Sequence, residues 1–200
     1  MKKITSVFFL TVFIFASCSR RPSVQPESAL PVNSEGRITI GFSIDTFVIE
    51  RWRRDVDIFT SVAQNAGAEV IVQTAGNSAE NQIKQIQYLL DRNVNVLVIV
   101  PKEAESLQDV LKTAKLRGIP VISYDRLIRN ADISLYITID SEKVGVLMAQ
   151  GLADKIRAGK YLCIYGPKED YNMLMATKGV HSVLSHYSGI EVLAEFYTDN

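Results

Sequence analysis

The chain has 200 residues, 47% of them hydrophobic, enough to bury a packed core and too many for a disordered chain. Its 22 Lys and Arg cancel its 22 Asp and Glu. With no block of five or six like charges, it lacks the electrostatic footprint of a DNA- or RNA-binding protein, so no nucleic acid partner is expected.

In chain order, the first segment reads MKKITSVFFLTVFIFASCSRR. Lys2 and Lys3 form a positive flank, and Ile4 to Ala16 is apolar yet too short to cross a bilayer as a stable helix. That is the pattern of an export signal over residues 1–17. Ala16 and Ser17 lead into Cys18, which resembles the lipobox of bacterial lipoproteins, although Phe15 stands where Leu is usual. The resemblance implies a lipidated Cys18 as the mature N-terminus and attachment to the membrane through lipid alone. Residues 18–36 hold three prolines with Ser, Glu and Asn and no hydrophobic period, as expected of a tether. The other cysteine, Cys163, lies in the apolar run YLCIYG and reads as a small buried hydrophobe.

From Arg37 onward, short β-rich runs alternate with helical stretches. The runs RITIGFSI, AEVIVQTA, VNVLVIVP, IPVISYD, ISLYITID, KYLCIYG and IEVLAEFY are mostly continuous in apolar character, as expected of strands buried on both faces. Between them, Trp52, Val56, Phe59, Val62, Ala63 and Ala66 recur at helical spacing. So do Ile83, Ile86, Leu89 and Leu90, and then Leu107, Val110, Leu111 and Ala114. Gly67 and Gly118 are placed to stop two helices, and Asn77 with Glu80 forms an expected capping pair for another. Asp140 reads as the N-cap of the helix that follows it. The pattern predicts an α/β fold with a doubly wound parallel sheet.

In such sheets the ligand crevice lies outside the carboxyl ends of the strands. The residues there are Asp45 to Arg51, Thr74 to Ser78, Pro101 to Glu103, Asp125 with Arg126, and Pro167 to Asn172. They are rich in carboxylates, guanidinium groups and amides, and contain no histidine. No nucleophile elbow, HExxH, phosphate-cradling loop or metal-spaced cysteine set occurs. The expectation is a binding protein, not an enzyme, with no cofactor and no metal.

Five segments in order, IGFSIDTFVIERWRRDVDIF, VLVIVP, VISYDR, YITIDSEKVG and GPKEDYN, resemble the ribose/galactose-type periplasmic sugar-binding family. The resemblance runs from about Arg37 to Asn200. It implies a type I periplasmic-binding-protein fold that holds one monosaccharide, xylose or a similar aldose, between two lobes. The sugar would be passed to an ABC permease, or shown to a histidine kinase or chemoreceptor. By position, the implied sugar-binding residues are Arg51, Asp125, Arg126, Asp170 and Asn172, with Trp52 as an aromatic platform and Phe47 as a weaker second candidate. The chemistry suits a polyol, because Asp accepts from sugar hydroxyls while Arg and Asn donate to their oxygens. Asp125 beside Arg126 is expected to act as a two-sided, charge-balanced clamp. The implied lobes are 37–140 and 141–200. The second is only begun, since the family's second aromatic platform and further polar ligands fall beyond Asn200, which leaves a fragment of a longer product or a truncated, non-functional relative as the alternative.

Overall fold

The computed structural model describes residues 36–198. The export signal, nearly all of the tether and Cys18 lie outside these described residues. The described chain runs β1 (Thr39–Ile44), α1 (Glu50–Asn65), β2 (Glu69–Thr74), α2 (Ala79–Asp91), β3 (Val96–Val100), α3 (Gln108–Leu116), β4 (Val121–Tyr124), β5 (Leu135–Ile137), α4 (Ser141–Ala153), β6 (Gly159–Tyr165), α5 (Tyr171–Leu184) and β7 (Ile190–Tyr197).

The first five strands form one parallel sheet in the order β2-β1-β3-β4-β5. The chain winds outward from β1 to one side, then crosses to β3 and winds to the other. The strand ends of β1 and β3 therefore flank a topological switch point. β3 shows why the strand signal was continuous. Leu97 and Ile99 face the cluster built with Leu89, Leu90 and Leu111 of α2 and α3, while Val98 and Val100 face the cluster with Phe42, Trp52 and Val56. With both faces covered, these four residues are at most 3% exposed. Gln82 of α2 ties the carboxyl ends of the two central strands together. Its Nε2 donates to Val100 O at 2.8 Å and to Ser43 Oγ at 3.3 Å, and its Oε1 accepts from Lys102 N at 2.8 Å.

A second, two-stranded parallel sheet pairs β6 with β7. α4 and α5 lie against each other at glycine contacts. A Cβ on Gly145 would fall 1.9 Å from Ala176 O, and one on Gly179 2.1 Å from Glu142 O. Only glycine permits that approach.

Several expectations need correction. Two-sided burial holds for β1 and β3 but not for β2 and β5, which are edges, nor for β6 and β7, where Leu162, Ile164 and Phe196 are exposed. The run ISLYITID yields a strand of only three residues, because Thr138 turns to bond Asp125 O at 2.8 Å and Asp140 caps α4 by accepting from Lys143 N. Val62 and Ala66 lie on the exposed side of α1, on an open apolar groove of about 460 Å³ shared with Ile58, Phe59, Ile122 and Ile137. Asn77 does not cap α2. It sits at φ 67° with its N–H on Asp45 O, while Ser78 one residue later accepts from Asn81 N, and Glu80 pairs instead with Lys84 at 2.6 Å. Cys163 is half-buried against the α4–α5 cluster, not fully buried. Gly67 and Gly118 do end α1 and α3, at φ 84° and 67°.

Candidate functional site

The carboxyl ends of β1, β3 and β4 converge with the N-terminus of α1 and the N-terminus of α5. At the end of β4 the backbone turns on a single residue. Asp125 has φ 61°, and Arg126 N–H bonds Tyr124 O at 2.8 Å, closing a three-residue γ-turn. A non-glycine residue in this conformation is strained and persists only where its surroundings hold it. Asp125 is held from several sides. Its N–H reaches Ile137 O at 2.7 Å, and its carbonyl accepts from Tyr136 Oη, Thr138 Oγ1 and Asn172 Nδ2 at 3.1, 2.8 and 3.1 Å.

The structure brings together Arg51, Asp125, Arg126, Asp170 and Asn172. Asp125, buried, accepts from Asn172 Nδ2 on Oδ1 at 3.0 Å and from Arg51 Nη2 on Oδ2. Arg126 meets Asp45 through Nη1 at 2.5 Å and Asp170 through Nε at 3.2 Å, and its Nη1 also lies 3.4 Å from Pro101 O. Asp170 serves twice, since its Oδ1 accepts from Asn172 N as the N-cap of α5. Adjacent in sequence, Asp125 and Arg126 thus engage different partners. In this structure the two charges form a crossed network in which each is balanced by a residue from another element.

Trp52 is 3% exposed and belongs to the Phe42–Val56 core cluster. The Arg51 guanidinium lies 4.5 Å from its ring centroid and that of Arg126 5.8 Å, so in this structure the ring is covered by cations. Phe47 packs partly against the same cluster, with the Arg53 guanidinium 5.1 Å over its ring. Arg54 pairs on the helix surface with Glu50 at 3.6 Å.

Two carboxylates of the network were not singled out in the sequence. Asp45, 2% exposed, takes Thr46 N on Oδ1 at 2.6 Å and Arg126 on Oδ2. Asp55 takes the Tyr124 hydroxyl at 2.9 Å and lies 3.5 Å from Arg51 Nε. Asp45 was visible as a strand-end residue, but nothing in its neighbours distinguished it from a loop aspartate. For Asp55 the only signal was its position four residues after Arg51. Burial pulls the Arg51 guanidinium down, but the hydrogen bond and charge of Asp125, with Asp55, outweigh it and hold the group above its ordinary value. Burial first, then Asp55, pushes the Tyr124 hydroxyl up. Among the described residues no group of three or more His, Cys, Asp or Glu is placed to hold a metal ion.

The sequence family described as "Periplasmic binding protein domain" matches residues 40–200. The chain belongs to the periplasmic binding protein family. Proteins of this family bind their ligands without transforming them, and the fold is of type I. The chain is 42% identical over 165 residues to the D-xylose-binding periplasmic protein of Escherichia coli, covering 81% of this chain and 50% of that protein. It is also 42% identical over 147 residues to the D-xylose-binding periplasmic protein of Haemophilus influenzae, covering 74% and 44%. It thus spans about half the length of these relatives. Among solved structures, an ABC transporter solute binding protein from Clostridium phytofermentans with bound β-D-glucose matches with TM-score 0.73 and 32% identity, over 77% of this chain and 51% of that one. A carbohydrate transporter solute binding protein from Chloroflexus aurantiacus in complex with D-glucose matches with TM-score 0.71 and 29% identity, over 78% and 48%.

Proposed function

We propose that the chain carries the first ligand-binding lobe, residues 37–140, and the beginning of the second, residues 141–200, of an exported receptor for a neutral monosaccharide, D-xylose or a similar aldose, serving an ABC importer. The observation that carries the reading is the convergence of Asp125, Arg126, Arg51, Asp170 and Asn172 at one switch point, drawn from α1, the turn after β4 and the start of α5, in a chain 42% identical to two D-xylose-binding proteins. The balance of charge favours a neutral ligand. Four carboxylates, Asp45, Asp55, Asp125 and Asp170, surround two guanidinium groups. A sugar hydroxyl can donate to any of these oxygens, whereas a sugar acid or phosphate would meet an excess of like charge. Charge-assisted hydrogen bonds of this kind contribute roughly 1.5–3 kcal/mol each. Trp52 would supply the flat apolar contact once the Arg51 and Arg126 guanidinium groups move off its ring.

The test is calorimetric titration of the purified chain with D-xylose, D-glucose and D-glucuronate. Weak saturable binding of the aldoses, with Kd of about 1 mM or above because the second lobe is only begun, lost in Asp125→Ala and absent for the uronate, is expected. Tighter binding of the uronate would overturn the charge argument, and no saturable aldose binding would overturn the assignment. We further propose that Cys18 is the lipid attachment point, on the strength of the lipobox-like Ala16-Ser17-Cys18. Cys18→Ser should then abolish incorporation of labelled palmitate in cells, and equal labelling of the two forms would refute it.

A further inference from the structure

The network described above contains a closed loop of contacts that ties Arg51 back to the end of β4. Tyr124 is the last residue of β4 and is covalently joined to Asp125. Asp125 binds Arg51, Arg51 Nε faces Asp55 Oδ2 at 3.5 Å, and the same oxygen accepts the Tyr124 hydroxyl at 2.9 Å. The members differ in how firmly they are held. The Arg51 side chain is 50% exposed, that of Asp55 21%, and the Tyr124 ring packs edge-on against Phe42 with centroids 6.3 Å apart.

A half-exposed arginine carries large rotamer freedom, and an Arg–Asp pair four residues apart on a helix surface would restrain it only weakly. Here the carboxylate has a second partner. The Tyr124 hydroxyl, presented by the central sheet, fixes Asp55, and Asp55 in turn limits where the guanidinium can lie. Its position matters because the same group binds Asp125 and covers Trp52 at 4.5 Å. We propose that Asp55 and the Tyr124 hydroxyl are positioning residues for ligand binding, holding the Arg51 guanidinium in place beside Asp125 so that it is already oriented to donate to a ligand hydroxyl there. This rests on the monosaccharide reading of the site.

The experiment has two arms. In the first, D-xylose is titrated into the purified chain and into Asp55→Asn and Tyr124→Phe, each also made in an Arg51→Met background. Each single variant is expected to weaken affinity about 3- to 10-fold, with no further loss once Arg51 is Met. Unchanged affinity in the single variants, or the same loss with and without Arg51, overturns the proposal, since a merely structural role would not depend on Arg51. In the second arm, the Arg51 Nε–Hε resonance is followed in the unliganded chain. It should be sharp and slow to exchange in the wild type, and broadened in Asp55→Asn and Tyr124→Phe. A resonance unaffected by both substitutions overturns the proposal. If the wild type fails to bind xylose, the sugar reading fails and the second arm alone decides the positioning role. Tyr124→Phe keeps the ring in its packing, so the test survives if Asp55→Asn folds poorly.

Discussion

The five-stranded sheet and the two-stranded sheet are built from the same alternation of strand and helix but reach burial by different routes. In the first, α1 lies on one face and α2 and α3 on the other, and β3 is sealed on both sides. In the second, burial comes chiefly from the close approach of α4 and α5 at Gly145 and Gly179, while Leu162 at 64%, Ile164 at 73% and Phe196 at 54% exposure show how much of the sheet is uncovered. The first sheet depends on apolar area and the second on clearance between two backbones. The candidate site draws on both, taking Asp125 and Arg126 from the first and Asp170 and Asn172 from the start of α5 in the second. Its geometry is therefore sensitive to two unlike kinds of damage.

The largest expected contrast is in side-chain truncation. Leu97, on β3 and fully buried against α2 and α3, should cost about 3–5 kcal/mol as Leu97→Ala, from lost transfer energy plus the cavity left behind. Ile164→Ala, at an exposed position, should change stability by less than about 0.5 kcal/mol. Urea unfolding of both variants checks this. A loss of similar size at Ile164 would mean that the second sheet is covered in solution.

Glycine replacement should reverse the contrast. An alanine at Gly145 or Gly179 puts a methyl group into a backbone carbonyl, with no rotamer available to relieve it, so α4 and α5 must separate at a cost of about 3 kcal/mol. Gly41 on β1 is also crowded, but its nearest neighbours are the ends of Leu89 and Leu97 side chains at 3.1 Å, which can shift, so Gly41→Ala should cost about 1 kcal/mol. Unfolding curves again decide, and Gly41→Ala proving the more damaging would contradict the reading of two packing modes.

The third contrast lies within the site. Arg126→Ala strands Asp45, 2% exposed, together with Asp170, while Asp125 keeps Arg51. Breaking a buried pair by removing one member is costly because the other charge remains, here about 2–3 kcal/mol after allowing for the 14% exposure of Arg126. Asp45→Asn added to Arg126→Ala should then recover part of the loss. A double variant less stable than Arg126→Ala alone would show that Asp45 matters for more than its pairing.

How much of this was legible in the sequence follows from which interactions have a period. The Leu97–Val100 run announced a buried strand because two-sided burial leaves no polar alternation to read. The helix series announced faces, but Val62 fell on the uncovered part of α1, since a helical period cannot tell how far the neighbouring sheet extends. The capping pair was displaced from Ser78 to Asn77 because both residue types cap, and only the positive φ of Asn77 separates them. In the site, Arg51, Asp125, Arg126, Asp170 and Asn172 came from a resemblance of motifs in order, and they do converge. Their pairing did not come with them. A γ-turn at Asp125 sends neighbouring charges to partners 74 and 81 residues away, and no local spacing encodes that. Asp45 and Asp55 were unremarkable for the same reason.

The smallest expected effect concerns the tyrosines that end β4 and β6. Tyr124 donates to Asp55 at 2.9 Å and Tyr165 to Glu195 at 3.2 Å, so each sheet ends in a phenol resting on a carboxylate. Both hydroxyls are pushed up, first by burial, then by Asp55 for Tyr124 and by Cys163 and Glu195 for Tyr165. A raised folded-state pKa means that the stability each contributes is fully present below the unfolded value of 10.0 and is lost as pH rises beyond it, because the unfolded chain releases its proton first. At neutral pH, Tyr124→Phe and Tyr165→Phe should each cost about 1 kcal/mol for the hydrogen bond. Between about pH 8 and about pH 11 the advantage of tyrosine over phenylalanine should shrink at both positions, the remaining tyrosines cancelling in the difference. Urea unfolding at the two pH values measures it. An advantage that grows with pH at Tyr124 but shrinks at Tyr165 would mean that the Arg51 guanidinium stabilises the phenolate more than Asp55 opposes it, and the ordering of charges around the β4 end would have to be redrawn.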